Sequence, residues 1–203
     1  EFISSGRLDD LAMVHAGIEA LISADVNLAT NIMIATDNEE VGSSTKQGGD
    51  SEMLSMILER IVLGLGKGRE DFLRAVSKSF LISADLAHAV HPNVPEKHDP
   101  TVRPVLNGGP VIKIAASQSY ATDSDTSTAY ELICRKAGVN VQRFVNRSDL
   151  RGGSTIGPIS STHLPIRIVD MGTPILSMHS IRELAAVKDH SDCIKSFEEF
   201  YKI

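Results

Sequence analysis

Apolar residues recur three or four apart at Leu8, Leu11, Ala12, Val14, Ile18 and Leu21, so Leu8 to Ala24 is expected to form an amphipathic helix. A second stripe, Met53, Leu54, Ile57, Leu58 and Ile61, predicts a helix over Ser51 to Leu65, ended by Gly64, Gly66 and Gly68. Further helices are expected to begin at Asp71 to Ser77 and to span Ser124 to Ala137. Short apolar runs between turn residues read as buried strands at Asn31 to Thr36, Phe80 to Asp85, Val111 to Ala115, Val141 to Val145 and Ile166 to Asp170. Gly152-Gly153-Ser154 makes a turn into a short helix, and two helices are expected to finish the chain. From His88 to Pro110 the pattern has no period and is broken by Pro92, Pro95, Pro100 and Pro104, which predicts a long ordered loop or arm. Strands alternating with helices place the chain in the α/β class, with a mixed, largely parallel central sheet and helices on both faces.

Composition narrows the function classes. The 203 residues are 42% hydrophobic and 23% charged, enough for one domain or one large piece of a domain with a real core. A net charge of −6 without a basic stripe argues against a nucleic-acid partner. No apolar run reaches membrane-spanning length, so no membrane partner is expected. Cys134 and Cys193 are too few and too isolated for a disulfide framework or a thiolate metal site, which makes a reduced, cytoplasmic setting the expectation. The chain opens without a methionine, as an internal piece of something longer would. The proline-rich arm, apolar and exposed, suits packing on a neighbouring subunit, so a homo-oligomer is expected.

Against this background the polar residues at strand ends stand out. Glu39 and Glu40 close the apolar run that starts at Asn31, and two adjacent like charges are not placed together for stability. Asp85 follows Phe80-Leu81-Ile82, His179 follows the strand at Ile166, and Asp9 stands at the start of the first helix. Ligands of α/β sheets bind beyond the strand ends, and carboxylates plus imidazole are the donors expected for zinc, manganese or cobalt. Each residue also has a plain structural use. Asp9 suits a helix N-terminus, Asp85 an N-cap, the glutamates a solvated loop, His179 a cap under the last helices, and His88 an ordinary loop position. By spacing alone, a metallopeptidase and any other α/β hydrolase remain open.

Six blocks narrow the choice: Arg7-Leu8-Asp9, Asp37 to Ser43, Ser83 to Asn93, Gly109 to Lys113, Gly153 to Pro158 and Ser177 to Glu183. In content and order they resemble the aspartyl aminopeptidase family of dinuclear zinc exopeptidases, over nearly the whole chain. The resemblance implies that the chain is the C-terminal portion, residues 1–203, of a single metallopeptidase catalytic domain. It also implies removal of N-terminal, preferably acidic, residues from peptides by a hydroxide held between two divalent ions. Asp9 would bridge those ions, Glu40 and His179 would complete one site, and Asp85 would ligate the other. Glu39 would be the general base, His88 would meet the scissile carbonyl, and Lys113 would meet the acidic side chain of the substrate. Family members resemble tetrahedral dodecamers.

Two departures follow from the same likeness. The family's first metal-binding histidine and its inserted dimerisation domain precede the Arg-Leu-Asp block, and neither is in this sequence. His15, His91, His98, His163 and His190 lie outside any motif that could replace that ligand. Asp10 stands where the family usually carries Asn, and in related exopeptidases the peptide bond after the bridging aspartate tends to be cis. A neutral-preference aminopeptidase of the same superfamily and a non-catalytic assembly module on an inactive peptidase fold are the alternatives.

Overall fold

The structure is a computed structural model and describes residues 1–25 and 28–203. In chain order its elements are β1 (Phe2–Ser5), α1 (Leu8–Ser23), α2 (Met53–Gly64), α3 (Arg69–Lys78), β2 (Phe80–Ala84), β3 (Ala87–His88) and β4 (Val111–Ile114). There follow α4 (Ser124–Lys136), β5 (Gln142–Val145), α5 (Ile156–His163), β6 (Arg167–Gly172), β7 (Pro174–Leu176), β8 (Glu183–Ala186) and α6 (Val187–Phe200).

The strands form two mixed sheets, ordered β2-β6-β4-β5 and β1-β8-β7-β3. In the first, β2 runs parallel to β6 and β4 parallel to β5, while β4 and β6 are antiparallel. The two sheets share one continuous seam. β6 passes through Thr173 into β7, and β2 passes through Asp85-Leu86 into β3, so one parallel pair belongs to both sheets. The ladder survives the switch, because Asp85 N–H donates to Met171 O and Ala87 N–H to Thr173 O, each at 2.9 Å. Gly172 permits this closeness: a Cβ there would lie 1.8 Å from the Asp85 carbonyl oxygen. Asp85 is thereby held at the break between sheets.

Side chains of β4 show why both faces are covered. Ile112 enters the main core with Met13, Tyr130, Val169, Met171 and Cys193, while Val111 enters a smaller cluster with Ala87, Tyr120 and Phe144. Successive residues of a strand point to opposite faces, so Lys113 shares the face of Val111. The buried positions of α1, Met13, Ala16, Gly17 and Ala20, follow the helical repeat, and α1 packs against α6. Leu54, Leu58 and Val62 of α2 lean on Phe72, Val76 and Leu164, whereas Met56, Ile57 and Ile61 remain exposed.

Two expectations fail. Asn31 to Thr36 forms no strand. Ile32 is exposed, and a strand requires a neighbouring ladder that no described strand offers to this segment. The chain also ends in one helix rather than two, because the segment before α6 is the antiparallel pair β7 and β8. Glu183-Leu184-Ala185-Ala186 has helix-forming composition, but its place between β1 and β7 overrides that preference.

Candidate metal centre

Three segments converge above the seam, each entered or occupied by a non-glycine residue in the left-handed region: Arg7 at φ 60°, Asn38 at φ 65° and His179 at φ 67°. Such conformations cost about 1 kcal/mol or more each and gather at functional sites. Arg7 leads to Asp9 and Asp10, which carry non-helical angles within the first turn of α1, and their peptide bond is cis. Asn38 leads into a 3-10 turn, Glu39–Val41, that carries both glutamates. His179 sits in a turn closed by the Ser180 N–H donating to Ser177 O.

The His179 Nε2 lies 3.0 Å from Asp9 Oδ2 and 3.1 Å from Glu40 Oε1. Asp9, Glu40 and His179 can each place one donor atom within 4.8 Å of the others, and Asp9, Asp10 and Asp85 can do the same. Asp9 therefore belongs to both groups. Its side chain is 3% exposed, and its Oδ1, like that of Asp10, is buried without a hydrogen-bond partner among the described residues. Burial, followed by the charges of Asp85 and Glu40, pushes the Asp9 carboxyl up to about 9. Burial, Asp85 and Asp9 hold the Asp10 carboxyl well above the ordinary range. Glu39 is raised by burial and by Asp85 and Glu40. A pocket that desolvates this many carboxylates and leaves two oxygens unpaired has the chemistry of a cation site.

Two residues of the sequence reading meet this centre differently. Lys113 is buried, with its Nζ 2.6 Å from Asp85 Oδ2 and 5.7 Å from the centroid of the Tyr120 ring. Burial opposes the Lys113 charge, but Asp85 outweighs it and raises the pKa. Asp85 is accordingly no N-cap: it faces an ammonium between β2 and β3. His88 ends β3 with its ring 6.3 Å from Phe144, and burial together with Lys113, His98 and His179 lowers its pKa. At neutral pH its imidazole is uncharged.

A cavity of about 340 Å³ opens here, lined by Arg7, Asp9, Glu40, His179, Ser180 and Glu183. A larger cleft of about 500 Å³ lies between α3, α4 and α5, with Ser77, Asp123, Pro158 and Arg167 in its wall. Its charged groups are already engaged, since Asp123 caps α4 and Arg167 pairs with Asp125. The smaller cavity is lined by Asp9, whose Oδ1 has no hydrogen-bond partner among the described residues. Sequence reasoning assigned no role to Asp10 or Glu183 in this centre. Asp10 had the signal of adjacency to Asp9, and Glu183 closes one of the six blocks.

The model of the family described as aminopeptidase I zinc metalloprotease (M18) matches residues 1–201. The chain belongs to the M18 family. It is 66% identical over 203 residues to the probable M18 family aminopeptidase 2 of Clostridium novyi, covering 100% of this chain and 47% of that protein. To the protein of the same description from Pseudomonas aeruginosa it is 47% identical over 201 residues, covering 99% and 46%. The chain thus spans about half the length of the curated relatives it matches. Among solved structures, Ape4 in its complex with Nbr1 superimposes with a TM-score of 0.92 at 40% identity, covering 99% of this chain and 39% of that one. Yeast aminopeptidase 1 gives 0.85 at 32% identity, covering 98% and 46%. The M18 aminopeptidase of Thermotoga maritima gives 0.90 at 23% identity, covering 99% and 46%, a likeness of fold.

Proposed function

We propose that the full-length protein is a metal-dependent aminopeptidase that removes N-terminal residues, preferably Asp or Glu, from peptides. The observation that carries this reading is the convergence of Asp9, Glu40 and His179 within 4.8 Å, with Asp9 shared by the second carboxylate group. Asp9, Glu40 and His179 would hold one divalent cation, and Asp9 with Asp85 a second. Zinc is the metal named for the family, and manganese and cobalt accept the same donors. When bound, such ions supply Lewis-acid chemistry, making a shared water acidic and polarising the scissile carbonyl.

The remaining work falls to the chain's own groups. Glu39, whose pKa is raised by burial and by Asp85 and Glu40, would take the proton of the attacking water as general base and return it to the leaving amine. His88, uncharged at neutral pH, offers a ring N–H to the developing oxyanion. Lys113 brings a buried positive charge to the edge of the cluster, which favours a substrate side chain ending in a carboxylate. One observation favours a second reading: Lys113 is already paired with Asp85, and a neutralised ammonium would leave a preference for uncharged residues.

An oligomer fits the same protein. S. cerevisiae mApe1 is described as a dodecamer, and α2 exposes Met56, Ile57 and Leu63, the kind of apolar surface that assembly covers. No described helix is long and apolar enough to cross a membrane, and both cysteines are free and buried.

Full-length protein supplied with Zn²⁺ should hydrolyse an Asp-linked chromogenic amide faster than a Leu-linked one. Absence of turnover on both, with metal bound, ends the proposal. Exchange of Glu39→Gln should retain the metal and reduce turnover roughly 10²- to 10⁴-fold. Exchange of Lys113→Leu should shift preference from Asp towards Leu, and unchanged selectivity would favour the second reading.

A further inference from the structure

Glu183 is a buried carboxylate, 1% exposed, at the first position of β8. Its two oxygens go to two different segments. Oε2 accepts the backbone N–H of Asp9 at 3.1 Å, and Oε1 accepts the backbone N–H of His179 at 2.7 Å. These donors belong to residues near opposite ends of the chain, and both side chains face the same cavity. We infer that Glu183 is a positioning residue of the metal centre, aligning Asp9 with His179 through their backbone rather than touching the ion itself. The inference rests on the reading of Asp9 and His179 as metal ligands.

Three physical points carry it. First, burying another carboxylate in the cavity wall with Asp9 and Glu40 is costly, and an apolar residue would fill the space between β1 and β7 more cheaply. A charge kept there calls for a use, and the two hydrogen bonds show where it is spent. Second, His179 sits at φ 67° and Ser177 at φ 58°, so this turn is unfavourable by itself. Beyond the Ser180–Ser177 closure, its backbone is tied to the body of the protein by the His179 N–H donating to Glu183, alongside the side-chain contacts of His179 with Asp9 and Glu40 and of Ser177 with His91. Third, one carboxylate is rigid, so a bond at each oxygen sets the spacing of the two N–H groups. That spacing fixes how closely His179 Nε2 approaches Asp9 Oδ2, here 3.0 Å. A residue that orients metal ligands in this manner is typically worth 10- to 100-fold in metal affinity.

Exchange of Glu183→Gln separates this role from simple support. The amide oxygen still accepts one N–H, but the amide nitrogen turned to the other cannot, so the side chain keeps its size and loses half its grip. In the full-length protein, competition with a fluorescent chelator should show zinc bound 10- to 100-fold more weakly, while the metal-free protein melts close to the parent. Activity at limiting zinc should fall and should return at saturating zinc with the peptide KM unchanged. Glu183→Ala should be weaker still, and if it fails to fold, Glu183→Gln decides alone. Parent-like zinc affinity in Glu183→Gln would overturn the inference, as would a melting-temperature loss in the metal-free protein as large as in the zinc-loaded one. Asp9→Asn and His179→Ala are the controls. Zinc binding that survives both overturns the metal-centre reading and this inference with it, whereas loss in those two alone overturns only the role of Glu183.

Discussion

Asp170 and Asp9 are both buried aspartates of one small protein, and their surroundings are opposite. Asp170 is fully buried, and its carboxylate accepts Ser83 Oγ–H at 2.5 Å, Thr155 Oγ1–H at 2.7 Å and Ala121 N–H at 2.5 Å. Asp189, equally buried, accepts Asn107 N–H at 2.7 Å and Gly109 N–H at 2.8 Å. These two fasten loops to the sheet and the last helix. Asp9 has an orphaned Oδ1, further carboxylates for neighbours and a pKa of about 9. A carboxylate surrounded by donors is complete as it stands; one crowded by carboxylates takes up a proton or, on the function proposed above, a cation.

The sharpest way to break that contrast is to neutralise each in turn. Asp170→Ala leaves buried hydroxyl and N–H donors without an acceptor and should destabilise the protein by about 3 kcal/mol or more with or without zinc. Asp9→Asn should instead leave metal-free stability unchanged or raised, because the amide needs no proton taken up on folding, while abolishing tight zinc binding. Urea titration of both variants, with and without chelator, measures this. Equal losses in the metal-free state would erase the distinction.

Smaller, but diagnostic, is the response to pH. The Asp9 carboxyl is raised from 3.8 to about 9 in the folded metal-free protein, so between those values the folded state holds a proton that the unfolded chain has released. Stability of the metal-free protein should therefore fall as pH rises through that window, and zinc should cancel the trend. Zinc binding at pH 7 should release a proton, seen calorimetrically as a binding heat that changes with the ionisation enthalpy of the buffer. A buffer-independent heat would mean that Asp9 is already ionised.

The smallest effect lies near the surface, where a half-buried imidazole meets two exposed carboxylates. His163 Nε2 lies 3.0 Å from Asp50 Oδ1, and its Nδ1 2.8 Å from Glu52 Oε1. Hydrogen bonds to Asp50 and Glu52 raise the His163 pKa, so its contribution is full below the ordinary value of 6.5 and is lost as pH rises through the raised one. Exchange of His163→Asn should lower the melting temperature slightly at pH 6 and scarcely at pH 9. An equal loss at both values would show that the charge is irrelevant there.

Long periodic elements were legible in advance because their signal repeats. The stripe from Leu8 to Leu21 foretold α1, and the runs at Phe80, Val111, Val141 and Ile166 foretold the strands of the first sheet. In the second sheet β3 has two residues and β7 three, too few for alternation to register, and β8 carries helix-forming composition. Asn31 to Thr36 misled for the converse reason: strand composition is local, but a strand exists only against a partner.

The candidate centre divides along the same line. Sequence alone picked out the carboxylates and the histidine that follow apolar runs, although Glu39 and Glu40 follow no strand, and motif order tied Asp9, Glu40, Asp85 and His179 to one family. Residue type and spacing are local quantities, readable without a fold. Only the tertiary structure decided that Lys113 spends its charge on Asp85, that Asp10 lies within reach of Asp9 and Asp85, and that Glu183 grips two distant backbone amides. Those are relations across space in a desolvated interior. Burial and distance set their energy there, and neither is written in the order of the letters.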